Sequence, residues 1–354
     1  MGLICGLVGL PSCGKTVIFN AITAAGVSSY NGSEMNRAVV NIPDQRINRL
    51  VELYHPRKTT LATLEVVDIP GVGNSPQGTG RGSKLLGNIK DVDALLHVVR
   101  CFENGSAQKI DPVRDIETVD LELLAADATT LENKITRLSK KARVGDKDAV
   151  RDTAACEKVH KAIQDGIPAR KQGLNELELA AVWECNLVSL KPVFYVANIA
   201  SMADAARPEV TTLKELARKE GAEVITICGK DEADISQLDP KDRPEFLREL
   251  GLTESSVERL LGAASKMLGI VHFFTSGEDE VRAWTCHKGD KAPVAAGKIH
   301  SDMEKGFIRM EVTRYDDLME LGSEAAVAKA GKHRVESRDY EVQDGDIVMV
   351  LFNS

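Results

Sequence analysis

The 354-residue chain has no Cys-x-x-Cys pair, and its seven cysteines (Cys5, Cys13, Cys101, Cys156, Cys185, Cys228 and Cys286) are scattered and odd in number. That spacing excludes a cysteine zinc site and a disulfide framework, leaving reduced core thiols as expected in the cytosol. It also lacks any run of about 18 apolar residues, which excludes a transmembrane helix. Positive charge is not in excess: the net charge is −8. A protein that coats nucleic acid over its whole surface is excluded, although a local basic patch is not. An apolar strand is expected from Leu3, and with it no signal peptide. Met1-Gly2 resembles a myristoylation start, but Gly6 stands where Ser or Thr is needed. The expected location is the cytoplasm. The length predicts two or three domains.

What is present begins at Gly9-Leu10-Pro11-Ser12-Cys13-Gly14-Lys15-Thr16, which fits the phosphate-loop pattern G-x-x-x-x-G-K-[ST]. It follows the apolar run Leu3-Ile4-Cys5-Gly6-Leu7-Val8, a buried parallel strand by its composition, and precedes a helix predicted from Lys15 to about Ala25. Gly9 and Gly14 permit the tight path that turns backbone N–H groups inward, and the helix N-terminus favours anionic oxygens. Lys15 is placed to reach the β- and γ-phosphates and Thr16 to ligate Mg²⁺. Cys13 has two readings. It is a small side chain filling the loop, or a redox-sensitive thiol whose pKa is lowered by the helix N-terminus and Lys15.

Further apolar strands are predicted at residues 39–42, 63–67, 94–100, 192–197 and 223–227, among helical patterns. This alternation predicts an α/β fold, a parallel sheet with helices on both faces. The sheet is split by a charged helical segment, residues 113–190. Leu121, Leu124, Ala128, Leu131, Ile135, Leu138 and Ala142 form a heptad seam that breaks at Val144-Gly145-Asp146-Lys147. A second helix near residues 148–165, using Ala154, Val159, Ala162 and Ile163, would return antiparallel and complete a projecting hairpin. Arg137, Lys140, Lys141, Arg143, Lys147 and Arg151 cluster at its tip, interrupted by Asp146 and Asp148. Two readings stand: a solvated charged face, or a contact for an RNA phosphate backbone. No aromatic side chain occurs there to stack on bases. Past Leu268 the strands are short and separated by turn signals, with helical stretches at residues 292–300 and 315–329. That predicts a small α+β domain without a catalytic triad or metal cluster, in character a binding module.

A phosphate loop alone does not separate kinases, transport ATPases and switch GTPases. The strand Leu64-Glu65-Val66-Val67 ends at Asp68-Ile69-Pro70-Gly71, a D-x-x-G element. Asp68 is expected to hold Mg²⁺, and the Gly71 N–H to sense the γ-phosphate. Residues 72–84 contain four glycines, as suits a mobile switch loop. Val72 stands where a water-orienting Gln sits in small GTPases. An apolar side chain cannot polarise water, so slow hydrolysis is expected. D-x-x-G sensing also argues against a phosphotransferase.

The phosphate loop, Asp68-Ile69-Pro70-Gly71, His97-Val98-Val99-Arg100-Cys101-Phe102, Tyr195-Val196-Ala197-Asn198 and Glu280-Val281-Arg282-Ala283-Trp284-Thr285 together resemble the YchF or Obg-like ATPase family. The resemblance spans nearly the whole chain. It implies a P-loop domain of residues 1–112 and 191–270, a helical coiled-coil insertion of residues 113–190, and a TGS-like domain of residues 271–354. It also implies a translation-factor-class ATPase, sometimes GTPase, associated with ribosomes. The family's N-x-x-E base-recognition element reads Asn198-Ile199-Ala200-Ser201 here. Without an acidic group at Ser201, the charge-assisted selection of guanine is absent. Cys228-Gly229-Lys230 occupies the family's final base-contacting loop. Ser12 replaces an Asn typical of potassium-assisted GTPases, and Gly32-Ser33 stands where a switch Thr would reach Mg²⁺.

The expected site is therefore Gly9 to Thr16 with Asn198, Ile199, Cys228 and Gly229 around the nucleotide, Thr16 and Asp68 on Mg²⁺, and Lys15 and Gly71 in catalysis. The expected function is a slow, Mg²⁺-dependent switch favouring ATP over GTP, with relaxed base selectivity. Its expected partner is the ribosome, at the large subunit, with RNA touching Arg137, Lys140, Lys141 and Arg143. A catalytically weak nucleotide-stabilised scaffold and a GTPase are the alternatives.

Overall fold

The structure is a computed structural model that describes residues 3–24, 36–70, 89–105, 109–239 and 241–353. Its strands are β1 (Ile4–Val8), β2 (Asn36–Asn41), β3 (Lys58–Thr60), β4 (Thr63–Asp68), β5 (Ala94–Arg100), β6 (Val193–Asn198) and β7 (Val224–Ile227), followed by β8 (Ile270–Thr275), β9 (Glu280–His287), β10 (Phe307–Arg314), β11 (Arg334–Glu336) and β12 (Asp346–Phe352). One sheet runs β2-β4-β1-β5-β6-β7. Its β4–β1, β1–β5, β5–β6 and β6–β7 ladders are parallel. Every residue of β5 and β6 is buried, which is why these strands read as unbroken apolar runs rather than alternating ones. The helix Pro112–Ala142 packs Ile116, Val119 and Leu123 into this sheet's core, and the helix Pro208–Glu220 adds Val210, Leu213 and Ala217.

The insertion is the helical hairpin that the sequence suggests. Asp111 caps the 31-residue helix Pro112–Ala142 by accepting from the Arg114 N–H at 3.1 Å, with Pro112 in the first turn. At 1.5 Å per residue that helix is about 46 Å long. Gly145, at φ +91°, allows the turn, and Asp146 caps the return helix Lys147–Gln164 through the Ala149 N–H at 3.0 Å. The seam differs from the expected one at its ends. Leu121 is 62% exposed and Ala154 is exposed, while Cys156 is fully buried with Leu124, Leu131, Val159 and Ile163. Near its root the long helix turns one face to the sheet domain and another to the hairpin, so a single heptad register cannot describe both. Asp127, wholly buried there, accepts the N–H groups of Val188 and Ser189 at 2.9 and 2.7 Å.

The chain forms two compact units, Met1–Val39 with Glu65–Val257, and Val40–Leu64 with Glu258–Ser354. Residues 40–64, expected from sequence within a nucleotide domain that includes residues 1–112, fold instead with the C-terminal segment. The reason is strand pairing: β3 lies parallel to β9, with Thr59 opposite Val281. The second sheet runs β11-β10-β12-β8-β9-β3. Its core gathers Phe273, Met310 and Val312 with Ala292, Ala295 and Ala296 of the helix Ala292–Ile299. The helical stretch expected at residues 315–329 is two helices, Tyr315–Leu321 and Glu324–Lys329, separated by Gly322 at φ +76° and capped afresh by Ser323.

Candidate functional site

β1 delivers the chain to Gly9 and the helix Lys15–Thr23 carries it away, so the phosphate loop sits at the carboxyl end of a central strand. Gly14 is the helix N-cap at φ +95°, and a Cβ there would lie 2.1 Å from Asn198 Nδ2. Gly9, at φ +148°, would bring a Cβ within 2.4 Å of the Val98 carbonyl oxygen. No other residue type fits either position. The first turn of the helix holds no acidic residue, so nothing cancels the partial positive charge of its N-terminus.

Lys15 is buried, and its Nζ donates to the carbonyl oxygens of Gly9 at 3.0 Å and Leu10 at 2.9 Å. The ammonium thus lies inside the loop, where an anionic oxygen can compete for it. Thr16 Oγ1 donates to Asp68 Oδ2 at 2.8 Å, which joins the loop helix to the end of β4. Burial pushes the Asp68 carboxyl above its usual range, while Thr16, Lys15 and Asn36 pull it down. A hydroxyl beside a buried carboxylate fits Mg²⁺, which takes hard oxygen ligands and keeps several waters. Among the described residues no group of three or more His, Cys, Asp or Glu is gathered as an alternative metal centre.

Asn198, at the end of β6, is 4% exposed. Its Nδ2 donates to the Cys13 carbonyl at 2.9 Å and its Oδ1 accepts from the Gly229 N–H at 3.2 Å, so it ties the phosphate loop to the loop after β7. Other members of the expected set are placed differently. The Ile199 side chain is buried in the sheet core, leaving only its backbone for a ligand. Cys228 is buried too, its Sγ 3.2 Å from the Ala200 carbonyl and its thiol pushed up to about 11, mainly by burial. Ser201 caps the turn Met202–Ala206 by accepting from the Ala203 N–H at 3.3 Å. Pro11 and Ser12 are exposed on the loop, with Ser12 at φ +61°.

Cys13 is not the activated thiol considered from sequence. It is 2% exposed, and burial raises its pKa by more than Lys15 lowers it. A helix N-terminus stabilises a thiolate only where the charge is not also stripped of solvent. Gly71, Val72, Gly32, Ser33 and the glycine-rich loop of residues 72–84 lie outside the described residues.

A second polar cluster escaped the sequence reading. Ser265 Oγ lies 3.0 Å from His272 Nε2, and His272 Nδ1 lies 3.2 Å from Asp44 Oδ2. The order is that of a hydrolytic triad, but Ser265 is 3% and His272 7% exposed, so a substrate cannot reach the hydroxyl. Asp44 caps the helix Gln45–Tyr54 and pairs with Arg46 at 2.8 Å. The cluster joins segments far apart in sequence, a role that no local pattern could announce.

A parallel sheet, a phosphate loop at the end of its central strand and an aspartate on the neighbouring strand define a P-loop nucleotide-binding protein with the GTPase fold. Sequence models agree: one described as a 50S ribosome-binding GTPase matches residues 4–141, and the YchF-GTPase C-terminal model, described as a protein of unknown function, matches residues 270–353. The chain is 44% identical to the ribosome-binding ATPase YchF of Bacillus subtilis (strain 168), and 42% identical to that of Haemophilus influenzae, over 100% of each chain. It superposes on the Schizosaccharomyces pombe YchF GTPase with a TM-score of 0.85 at 30% identity, covering 99% of this chain and 98% of the other. The chain belongs to the YchF family.

Proposed function

We propose that this protein is a slow, Mg²⁺-dependent nucleoside triphosphatase that favours ATP over GTP and acts in the cytoplasm as a ribosome-associated switch. The observation that carries the reading is the juxtaposition of buried Lys15 with the Thr16–Asp68 pair. Lys15 would leave the loop carbonyls for the β- and γ-phosphates and stabilise charge on the transferring group. Thr16 and Asp68 would hold Mg²⁺, which supplies further stabilisation of that charge. Ser201, a neutral residue occupied in capping, removes the carboxylate that would read guanine, so base selectivity is relaxed, and the preference for ATP is supported by the relatives' names. The ribosome as partner is supported by the relatives' names, ribosome-binding ATPase. On this reading the insertion, residues 113–190, offers Arg137, Lys140, Lys141 and Arg143 to RNA of the large subunit, and residues 271–354 form a TGS-like module.

Separate ATP and GTP titrations with Mg²⁺ present, followed by single-turnover hydrolysis of the wild type and Lys15→Ala, test the reading. Tighter ATP binding and loss of turnover in a folded Lys15→Ala protein are expected. Guanine-biased affinity, or undiminished hydrolysis in the variant, refutes it. Val72 favours a second reading, a nucleotide-stabilised scaffold that does not hydrolyse. Absence of turnover by the wild type, with ribosomes as well as without, would select it.

A further inference from the structure

The basic tip of the hairpin carries no aromatic residue of its own, but the segment that packs on the long helix at Lys134 and Arg137 carries one. Trp183 ends the helix Glu176–Trp183, and its side chain is 77% exposed. An indole is largely buried in most folded proteins, so this one lacks the packing that normally holds it. Its neighbour Glu184 fixes where it lies along the hairpin. Glu184 Oε2 is 3.5 Å from Lys134 Nζ and 4.0 Å from Arg137 Nη2 on the long helix. Arg137 and Lys141 follow one another at i, i+4 on that helix, one turn apart, with Lys140 adjoining.

The local charges leave this stripe net positive. Lys134, whose side chain is 9% exposed, is the nearer partner of Glu184, and the Glu178 carboxylate is held by Lys158 at 2.6 Å. Asp148 and Asp152 pair with Arg151 at 3.0 and 2.9 Å. Lys140, Lys141 and Arg143 are exposed and form no ion pair among the described residues. An exposed indole on the segment that Glu184 ties to the long helix, with the exposed Lys140 and Lys141 further along that helix, offers the two elements that single-stranded nucleic acid binding requires: stacking for a base, charge for its phosphates.

We propose that Trp183, Arg137, Lys140 and Lys141 form a site for unpaired RNA, one base stacking on the indole while adjoining phosphates lie along the basic stripe. This rests on the reading of the hairpin as the ribosome-facing element and names the kind of RNA it takes. A duplex offers no free base face to Trp183, so it would meet only the cations.

Trp183 and Trp284 are the two tryptophans, so Trp284→Phe leaves a single reporter at the proposed site. Titrating that protein with a ten-nucleotide oligouridylate should quench Trp183 fluorescence to saturation. By anisotropy of the labelled oligonucleotide, Trp183→Ala should weaken binding about 5- to 150-fold, the ~1–3 kcal/mol of one base–aromatic stack. Trp183→Phe should recover part of this, and binding to an RNA duplex should not change. Removing Lys140 and Lys141 should lower the slope of log K against log salt by roughly 1.4, or ~0.7 for each phosphate left unneutralised. Unchanged oligonucleotide affinity in Trp183→Ala, or no quenching, overturns the proposal. Should Trp183→Ala reduce cosedimentation with ribosomes but not oligonucleotide binding, the indole meets a ribosomal protein: the RNA site is overturned while the ribosome reading stands. Failure of the wild type to cosediment would remove that reading instead, with oligonucleotide binding still measured directly.

Discussion

Asn198 and Cys13, 185 residues apart in sequence, are joined by a hydrogen bond of 2.9 Å from the Asn198 side-chain amide to the Cys13 carbonyl. The same side chain accepts from the Gly229 N–H, so one buried amide sets the spacing between the phosphate loop and the loop after β7. Asn198→Ala leaves a buried carbonyl and a buried N–H without partners. The expected loss is about 1–3 kcal/mol of stability, with weaker binding of ATP and GTP in equal proportion. Urea unfolding and titration of both nucleotides check this. A variant that loses affinity for only one nucleotide would show that Asn198 acts chiefly on the base.

All seven cysteines are buried. Burial pushes the Cys5 and Cys101 thiols up to about 12, and Cys13 also lies above its usual value. Thiolate is the reactive form. At pH 7 an aromatic disulfide reagent should therefore find no rapidly reacting thiol in the folded protein, and seven after denaturation. Rapid modification of Cys13 in the nucleotide-free protein would contradict the burial described for it.

Features carried by local pattern were legible in the sequence. β5 begins and ends where its apolar run does, and the hairpin turns at Gly145. The phosphate loop announced itself because its spacing is its mechanism. Features set by partners distant in sequence were not legible. Nothing in Lys58-Thr59-Thr60 indicates that it pairs with β9, and Cys13 looks activated until its burial is known. The placement of Glu184, the residue after Trp183, against Arg137 depends on how the helix Glu176–Trp183 packs, which no spacing rule reaches.

Ser12 adopts a left-handed conformation, φ +61°, on an exposed part of the loop. Asn tolerates that region better than most residues other than Gly. Ser12→Asn should thus raise stability by a few tenths to ~1 kcal/mol without weakening nucleotide binding. The unfolding midpoint in denaturant measures it. A lower midpoint would mean that the Ser12 side chain does more than occupy a strained position.

Acid sensitivity should trace to His97. It lies in β5, 3% exposed, with its ring centroid 5.6 Å from that of Tyr195. Burial, with the positive charges of Arg170 and Lys15 adding to it, pushes its pKa from 6.5 down to about 3. Above pH 6.5 the imidazole is neutral in both folded and unfolded chains and has no effect on the pH dependence. Below that value the unfolded chain takes up a proton that the folded one refuses. Stability therefore falls with pH through the window from 6.5 to about 3, by up to ~1.4 kcal/mol per unit for this one group. His97→Leu removes the titration from both states. Relative to wild type, the variant should gain stability steadily as pH is lowered from 6.5 to 4.5 in parallel urea unfolding experiments. Curves that stay parallel across that range would show that His97 is protonated in the folded protein.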